Sequence, residues 1–243
     1  MYTEITNTHI KELAKLNQKK YRALNNMTIV EGVRIIDQLK DYNIVFEELF
    51  ISDPDEFDLS QYSANKIFLV TQDQIKKITN TKTPQKIAAL IKTVSIPLIE
   101  TQFLIYLDGI HDPGNLGTIF RTAAAAGVSG IVLSPDCCEI FNPKVIRSSL
   151  GSVFHLPAET HEHNWLKTLD TTIVATTLEN STNIFELKRP ASLMLVIGSE
   201  AFGVSKEILQ IAKHKVKIPI PGNIESINAA VASGIAIYHF INN

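Results

Sequence analysis

The sequence predicts an α/β protein: a C-terminal domain built on a parallel sheet, preceded by a smaller α/β domain. Three observations predict this. Short apolar runs such as FLIYL (103–107), GIVLS (130–134) and LMLVI (193–197) alternate with stretches of helical length. That is the pattern of strands covered on both faces and joined by crossover helices. Turn-forming residues gather after such runs, at Asp112-Pro113-Gly114-Asn115, between Gly198 and Gly203, and at Gly222-Asn223, where a strand must give way to a helix. Finally, 243 residues with 45% hydrophobic content suit one large domain or two small ones with a sizeable core.

The elements follow in order. Residues 9–24 are predicted as one amphipathic helix. Met27 to Val30 form a short strand, and Gly32 to Leu39 a helix beginning near Glu31. Strands are expected at 49–51 and 66–70. Thr71 is placed to cap a helix from Gln72, with Ile75 and Ile78 as its apolar side. Ile87 to Ile91 closes this region as a strand. Thr93 to Glu100 holds Pro97 and reads as a linker, so the domains are expected at 1–95 and 102–243, with 96–101 between them. The second region is predicted to place strands at 103–107, 130–134, 172–176 and 193–197, and helices at 116–126, 142–149, 205–213 and 225–241. A short Ile-Pro-Ile-Pro strand (218–221) precedes the last helix. The acidic stretch Asp53 to Asp58 reads as a solvated loop.

Composition removes several function classes. No run of 18 apolar residues occurs, so no membrane-spanning helix is expected. The segment MYTEITNTHIKELAKLNQ lacks the apolar core of a secretion signal. The two cysteines, Cys137 and Cys138, are sequence neighbours and form no disulfide framework. A reduced, cytoplasmic protein is therefore expected. Asn115-Leu116 stands where a phosphate-binding loop needs Lys-Ser/Thr, no G-x-G-x-x-G follows a strand, and no G-x-S-x-G occurs. His161 and His163 could face a metal together but lack a clear third ligand, so no metal is expected.

Net charge is −2, which creates no global field for nucleic acid. Locally, Lys11, Lys15, Lys19, Lys20 and Arg22 cluster, the first three at four-residue spacing on one helix face. They read either as a solvated face or as a phosphate-contacting stripe.

Three segments carry the chemistry. In LDGIHDPGNLGTIFRTAAAAGVSGIVLS (107–134), Asn115 either caps a helix or faces a ligand. Arg121, among the small neighbours Gly117, Thr118, Ala124 and Ala125, is either a surface arginine or a cation reaching across a cleft. In LMLVIGSEAFGVS (193–205), glycines permit close backbone approach to a ligand. Glu200 ends a strand and is either solvated or placed for chemistry or for pairing with Arg121. In VKIPIPGNIESINAAVASGIAIY (216–238), Ser226 and Asn228 are expected in the first turn of a helix, where free N–H groups favour polar or anionic ligands. The face Ala229, Ala230, Ala232, Ser233, Gly234, Ala236 that follows suits close packing on another helix or within the core.

Together and in this order, DPGNLGTIFRTAAAAG, IGSEAFGVS and IPIPGNIESINAAVASGIAIY resemble the three motifs of the SpoU/TrmH branch of the SPOUT RNA methyltransferases. The resemblance covers 102–243, and IRSSLGSVFHLP from Ile146 resembles the family's connecting segment. TIVEGVRIID and TKTPQKIAALIK more loosely resemble the RNA-substrate-binding domain often fused to the family. Ser199, Ala201 and Ile227 stand where asparagine, glycine and leucine are common.

The resemblance implies a C-terminal trefoil knot, a homodimer with the final helix in its interface, and S-adenosyl-L-methionine as cofactor. It places the cofactor near Thr177, Leu178, Gly198, Glu200, Gly203, Ile218, Ile220, Ser226, Ile227 and Asn228. It makes Arg121, Asn115, Glu200, Ser226 and Asn228 the catalytic set, with RNA contacts from Lys11, Lys15, Lys19, Lys20, Arg22, Arg34 and Arg121. Arginine normally stays charged, so Arg121 is expected to clamp a phosphate, oriented by Asn115 and Glu200, rather than to act as a base. The implied reaction is 2′-O-methylation of a ribose in ribosomal RNA. Transfer RNA, a non-catalytic RNA-binding or ribosome-assembly role, and a metabolic α/β enzyme are the alternatives.

Overall fold

The computed structural model describes residues 3–99 and 102–243; Glu100 and Thr101, at the end of the expected linker, lie outside them. The chain divides into two compact units: Met1–Val94 with Phe141–Phe154, and Ser95–Ile140 with His155–Asn243.

The first unit runs β1 (Thr3–Glu4), α1 (Asn7–Lys15), α2 (Lys19–Asn25), β2 (Met27–Glu31), α3 (Val33–Asp41), β3 (Glu48–Ile51), β4 (Ile67–Leu69), α4 (Gln72–Thr79) and β5 (Ile87–Lys92). Its sheet has the order β1-β4-β3-β5-β2. The first two pairings are parallel and the last two antiparallel. Ile10, Leu13, Phe50, Phe68, Ile75 and Ile78 pack into one core, with Phe50 and Phe68 stacked at 5.6 Å.

The single helix expected over 9–24 is two helices. Asn17 Nδ2 donates to the carbonyls of Ala14, 2.9 Å, and Ile78, 2.8 Å, so a side chain takes an acceptor that a continuing helix would use. Gln18 then turns extended. Lys11, Lys15 and Lys19 therefore do not share one continuous helix face.

The second unit holds β6 (Phe103–Asp108), α5 (Pro113–Ala125) and β7 (Gly130–Leu133). After the segment that groups with the first unit, which contains α6 (Pro143–Ser148), it continues with β8 (Ala158–Thr160), β9 (Thr172–Thr176), β10 (Thr182–Asn183), β11 (Leu193–Gly198), α7 (Lys206–Ile211), β12 (His214–Lys217) and α8 (Ala229–Ile241). Its seven strands, in the order β10-β12-β9-β11-β6-β7-β8, are all parallel. The parallel sheet expected from the sequence is thus present, and its interior strands β6, β7 and β11 are the fully apolar runs that predicted it.

Three expectations change. The strand expected at 218–221 lies earlier, at His214–Lys217, because Pro219 and Pro221 have no N–H to give a ladder. The last helix begins at Ala229 rather than 225, because Asn228 caps it. The segment 141–154, expected within an unbroken 102–243 domain, packs with the first unit. There Thr28 Oγ1 donates to the Phe141 carbonyl, 3.5 Å. Gly151, at φ +79°, lies so close to α3 that an added Cβ would sit 3.2 Å from Leu39.

Candidate active site

The loop after β6 leads into α5, and Asp112 starts that helix. Its carboxylate accepts from the Asn115 backbone N–H, 2.8 Å, and Pro113 occupies the first helical position, where its missing N–H costs nothing. Asn115 is therefore not the cap that its place in the sequence allowed. The helix begins two residues before it, and its side chain is left to work elsewhere.

That side chain joins the other two segments. Asn115 Nδ2 donates to Glu200 Oε1, in the loop after β11. Asn115 Oδ1 accepts from Asn228 Nδ2, 2.9 Å. Asn228 Oδ1 in turn accepts from the backbone of Ala230, 2.9 Å, and Val231, 3.2 Å, capping α8. The free N–H groups expected to attract a ligand at this helix end are thus satisfied by Asn228 itself. Ser226 lies in the loop ahead of the helix rather than in its first turn. One half-buried amide, with both ends committed, ties three remote segments into one row: Glu200, Asn115, Asn228.

Beside this row the loop after β11 folds back tightly. Ser199 and Gly203 exchange backbone hydrogen bonds of 3.2 and 2.9 Å, and Ser199 Oγ accepts from the Phe202 N–H, 3.1 Å. An added Cβ on Gly198 would lie 2.1 Å from the Gly203 carbonyl carbon and 2.2 Å from the Val204 nitrogen, so only glycine fits. The loop borders a cavity of about 490 Å³, within the range of small-molecule and cofactor sites. Of the expected cofactor residues, Thr177, Leu178, Gly198, Glu200, Gly203, Ile218, Ile220, Ser226 and Ile227 line it; Asn228 does not.

Arg121 is exposed on α5 and, among the described residues, makes no ion pair. The expected pairing with Glu200 is absent; among the described residues the Glu200 partner is Asn115. Six residues on a helix separate Asn115 and Arg121 by about 120° around its axis, so they serve different faces.

In the first unit, Lys11, Lys19, Lys20 and Arg34 are exposed, whereas Lys15 is paired with Glu12 at 2.7 Å. Arg22 leaves the expected RNA-contacting set: it is 3% exposed and donates to the Leu16 carbonyl, 2.8 Å, at the end of α1.

The two histidines considered for a metal are engaged separately. His161 bonds Glu159, 2.6 Å, and stacks on Trp165, while His163 bonds Asp108, 2.9 Å. No group of three His, Cys, Asp or Glu side chains among the described residues could hold a metal ion. Cys137 accepts from the Ile110 N–H, 3.3 Å, and burial pushes its thiol pKa up. It braces the loop after β6 rather than supplying a thiolate.

Sequence reasoning missed Asp108 and Phe202. A lone carboxylate closing an apolar strand was the available signal for the first. The second, 88% exposed at the cavity rim, carried no local signal. No helix of the described residues is long and apolar enough to cross a membrane.

Comparison with known proteins converges on one family. Residues 7–89 match the MRM3-like substrate binding domain. The chain is 32% identical over 238 residues to the 23S rRNA (guanosine(2553)-2′-O)-methyltransferase RlmP of Bacillus subtilis (strain 168), covering 96% of each chain. It superposes on the crystal structure of an AdoMet-bound rRNA methyltransferase from Sinorhizobium meliloti with a TM-score of 0.88 at 28% identity, over 98% of this chain and 97% of the other. Residues 102–238, more than half of the chain and including all three site segments, match the SpoU rRNA Methylase family, and the protein belongs to it.

Proposed function

We propose that this protein transfers a methyl group from S-adenosyl-L-methionine to the 2′-hydroxyl of a ribose in ribosomal RNA. The observation that carries the reading is the row Glu200, Asn115, Asn228 set beside a cavity of cofactor size. The similarity to RlmP and to the AdoMet-bound Sinorhizobium meliloti enzyme supports it.

The lining suits the cofactor. Thr177, Leu178, Gly198, Ile218, Ile220, Ser226 and Ile227 would hold it, the isoleucines walling the adenine and the backbone around Gly198 and Ile218 fixing its edge. When bound, the cofactor supplies an electrophilic methyl whose release leaves a neutral thioether, so the transfer needs no metal.

Arg121 is free of intramolecular ion pairs among the described residues, and an arginine in general carries a fixed charge. Its planar fork suits bidentate capture of a phosphate. It would hold a substrate phosphate and stabilise charge on the attacking oxygen, with that phosphate accepting the proton. Glu200 and Asn115 do not orient it within one chain; they fix the loop bordering the cavity, and Ser226 and Asn228 shape its edge. Lys11, Lys19, Lys20 and Arg34 would contact RNA phosphates.

The reading includes a homodimer through α8, supported by the exposed apolar side chains Val231 (54%) and Tyr238 (46%), seven residues apart on that helix. It also includes the knotted C-terminal path and a cytoplasmic location.

The test is transfer of labelled methyl to unmodified ribosomal and transfer RNA, presented separately, with Arg121→Ala as control. Label recovered as 2′-O-methyl in ribosomal RNA, and lost in the variant, supports the proposal. Label only in transfer RNA overturns the substrate. No label in either, together with no measurable cofactor affinity, overturns the chemistry.

A further inference from the structure

Asp108 closes β6 and is paired in register with Gly198, the residue at which β11 gives way to the cavity loop. Its side chain is nearly buried, at 9% exposure. Oδ1 accepts from His163 Nε2, 2.9 Å, and Oδ2 accepts from the Ser205 backbone N–H, 2.7 Å. Ser205 is the residue at which the loop ends and α7 begins. It makes no side-chain cap of its own, and its hydroxyl is buried without a partner. The N–H that a local cap would leave to solvent is instead held by a carboxylate from another strand. A charge-assisted bond of this kind is among the stronger ones a protein makes.

The loop is thereby gripped at both ends. At its start, Gly198 packs under the backbone of Gly203 and Val204 with no room for a side chain. At its end, Asp108 holds Ser205. Between these points lie Ser199, Glu200, Phe202, Gly203 and Val204, all bordering the cavity. His163, in turn, fixes the carboxylate from the segment between β8 and β9, and its ring sits edge-on to Tyr106 at 6.1 Å.

We propose that Asp108 is a positioning residue that, through Ser205, holds the 199–204 loop in its cofactor-binding shape, with His163 locking the carboxylate in place. This rests on the reading of the cavity as the cofactor site. Asp108 does not line the cavity, so its effect is on cofactor affinity rather than on the transfer step. Asparagine can replace it, keeping an oxygen for Ser205 and an amide N–H for an unprotonated His163 nitrogen; alanine cannot.

The experiment titrates S-adenosyl-L-methionine into the full-length protein by calorimetry, and measures turnover at saturating cofactor. Asp108→Ala is expected to raise Kd about tenfold or more, the scale of one lost bond to a charged group, with kcat within about twofold. Asp108→Asn recovers most of the affinity. Ser205→Pro removes the donor at a φ of −59° that proline accepts, and it also sets a ring carbon against the Asp108 carboxylate oxygen that lies 2.7 Å from that nitrogen. It should raise Kd at least as much as Asp108→Ala, and the double variant, in which the ring carbon meets no carboxylate, should be no worse than either, since both cut the same contact. Should Asp108→Ala fail to fold, Ser205→Pro and Asp108→Asn still carry the test. An unchanged Kd in folded Asp108→Ala, effects that add in the double variant, or asparagine no better than alanine each overturn the proposal. Ile227→Trp, which fills the cavity, separates the two readings: if it leaves Kd unchanged, the cavity assignment itself falls. If it abolishes binding while Asp108→Ala does not, only the positioning role falls.

Discussion

Helix α4 in the first unit and helix α8 in the second are both capped at their N-termini, but by different means. Thr71 accepts from the Gln74 backbone N–H, 3.2 Å, and the Gln74 side chain accepts from the Thr71 N–H, 2.7 Å. This reciprocal box is complete within four residues and readable from sequence. Asn228 caps α8 with one end of its amide and, with the other, reaches Asn115, 113 residues earlier. Asp108 likewise holds the start of α7 from 97 residues away. In the first unit the cap serves the helix alone. In the second, the groups that end loops and begin helices also shape the cavity, so stability and chemistry share side chains there.

The largest test of that contrast is Arg121, which is exposed and makes no ion pair among the described residues. Arg121→Ala should lower turnover about 100-fold or more, the scale of removing one charge-stabilising donor, with no change in melting temperature or cofactor Kd. Arg121→Lys should fail to restore it; near wild-type turnover in that variant would sink the fork-clamp role.

The paired caps sharpen it further. Asn228→Ala and Thr71→Ala should each cost about 1 kcal/mol by denaturant titration. Only Asn228→Ala should also reduce methyl transfer at limiting cofactor, through a raised Kd, since it frees Asn115 and with it Glu200 in the loop bordering the cavity. Equal activity in the two variants would break the distinction.

Within the first unit, Arg22 and its neighbours should separate in the same way. Arg22→Ala leaves the Leu16 carbonyl without this partner and should cost about 1–3 kcal/mol of stability. Lys19→Ala with Lys20→Ala should leave stability intact and flatten the salt dependence of RNA binding by about one to two units of slope. A stable Arg22→Ala with weakened RNA binding would return Arg22 to the RNA face.

The smallest effect concerns Glu159. Its carboxyl is held below the usual 4.5 first by the bond from His161, then by the Leu98 N–H. A lowered carboxylate pKa stabilises the fold above the unfolded value and loses that contribution as pH falls through the folded one. Glu159→Gln should therefore melt slightly lower than wild type at pH 7, by less than about 1 kcal/mol for a pair this open to solvent screening, with side chains 32% and 30% exposed. The gap should narrow as pH falls below 4.5 and close once the carboxyl is protonated in the folded protein. A gap that persists there would assign the difference to packing rather than charge.

Much of this was legible in local residues. Fully apolar runs mark the central strands because a strand covered on both faces has no polar side. Thr71 and the glycines at 198 and 203 announce their turns. The break at Asn17 was not legible, since it depends on the Ile78 carbonyl 61 residues away. Nor was the burial of Arg22, whose sequence neighbours are solvent-facing lysines. The helix starts misjudged at Asn115 and Asn228 share one cause. Two Asx residues able to cap stand near each start, Asp112 and Asn115 at the first, Asn223 and Asn228 at the second, and Asp112-Pro113 is the stronger start signal of the first pair.

The sequence by itself determined the fold class, the four central strands of the parallel sheet, the three segments that carry the site and nine of the residues lining the cavity. These follow from hydrophobic period, turn chemistry and motif identity, all of which are local. Only the tertiary structure decided that Asn115 meets Glu200 and Asn228, that Asp108 grips Ser205, that Arg121 stands apart from Glu200 and that Arg22 is buried. Each of those depends on which groups the fold brings within hydrogen-bond reach across scores of residues, information that the neighbouring residues in the chain do not carry.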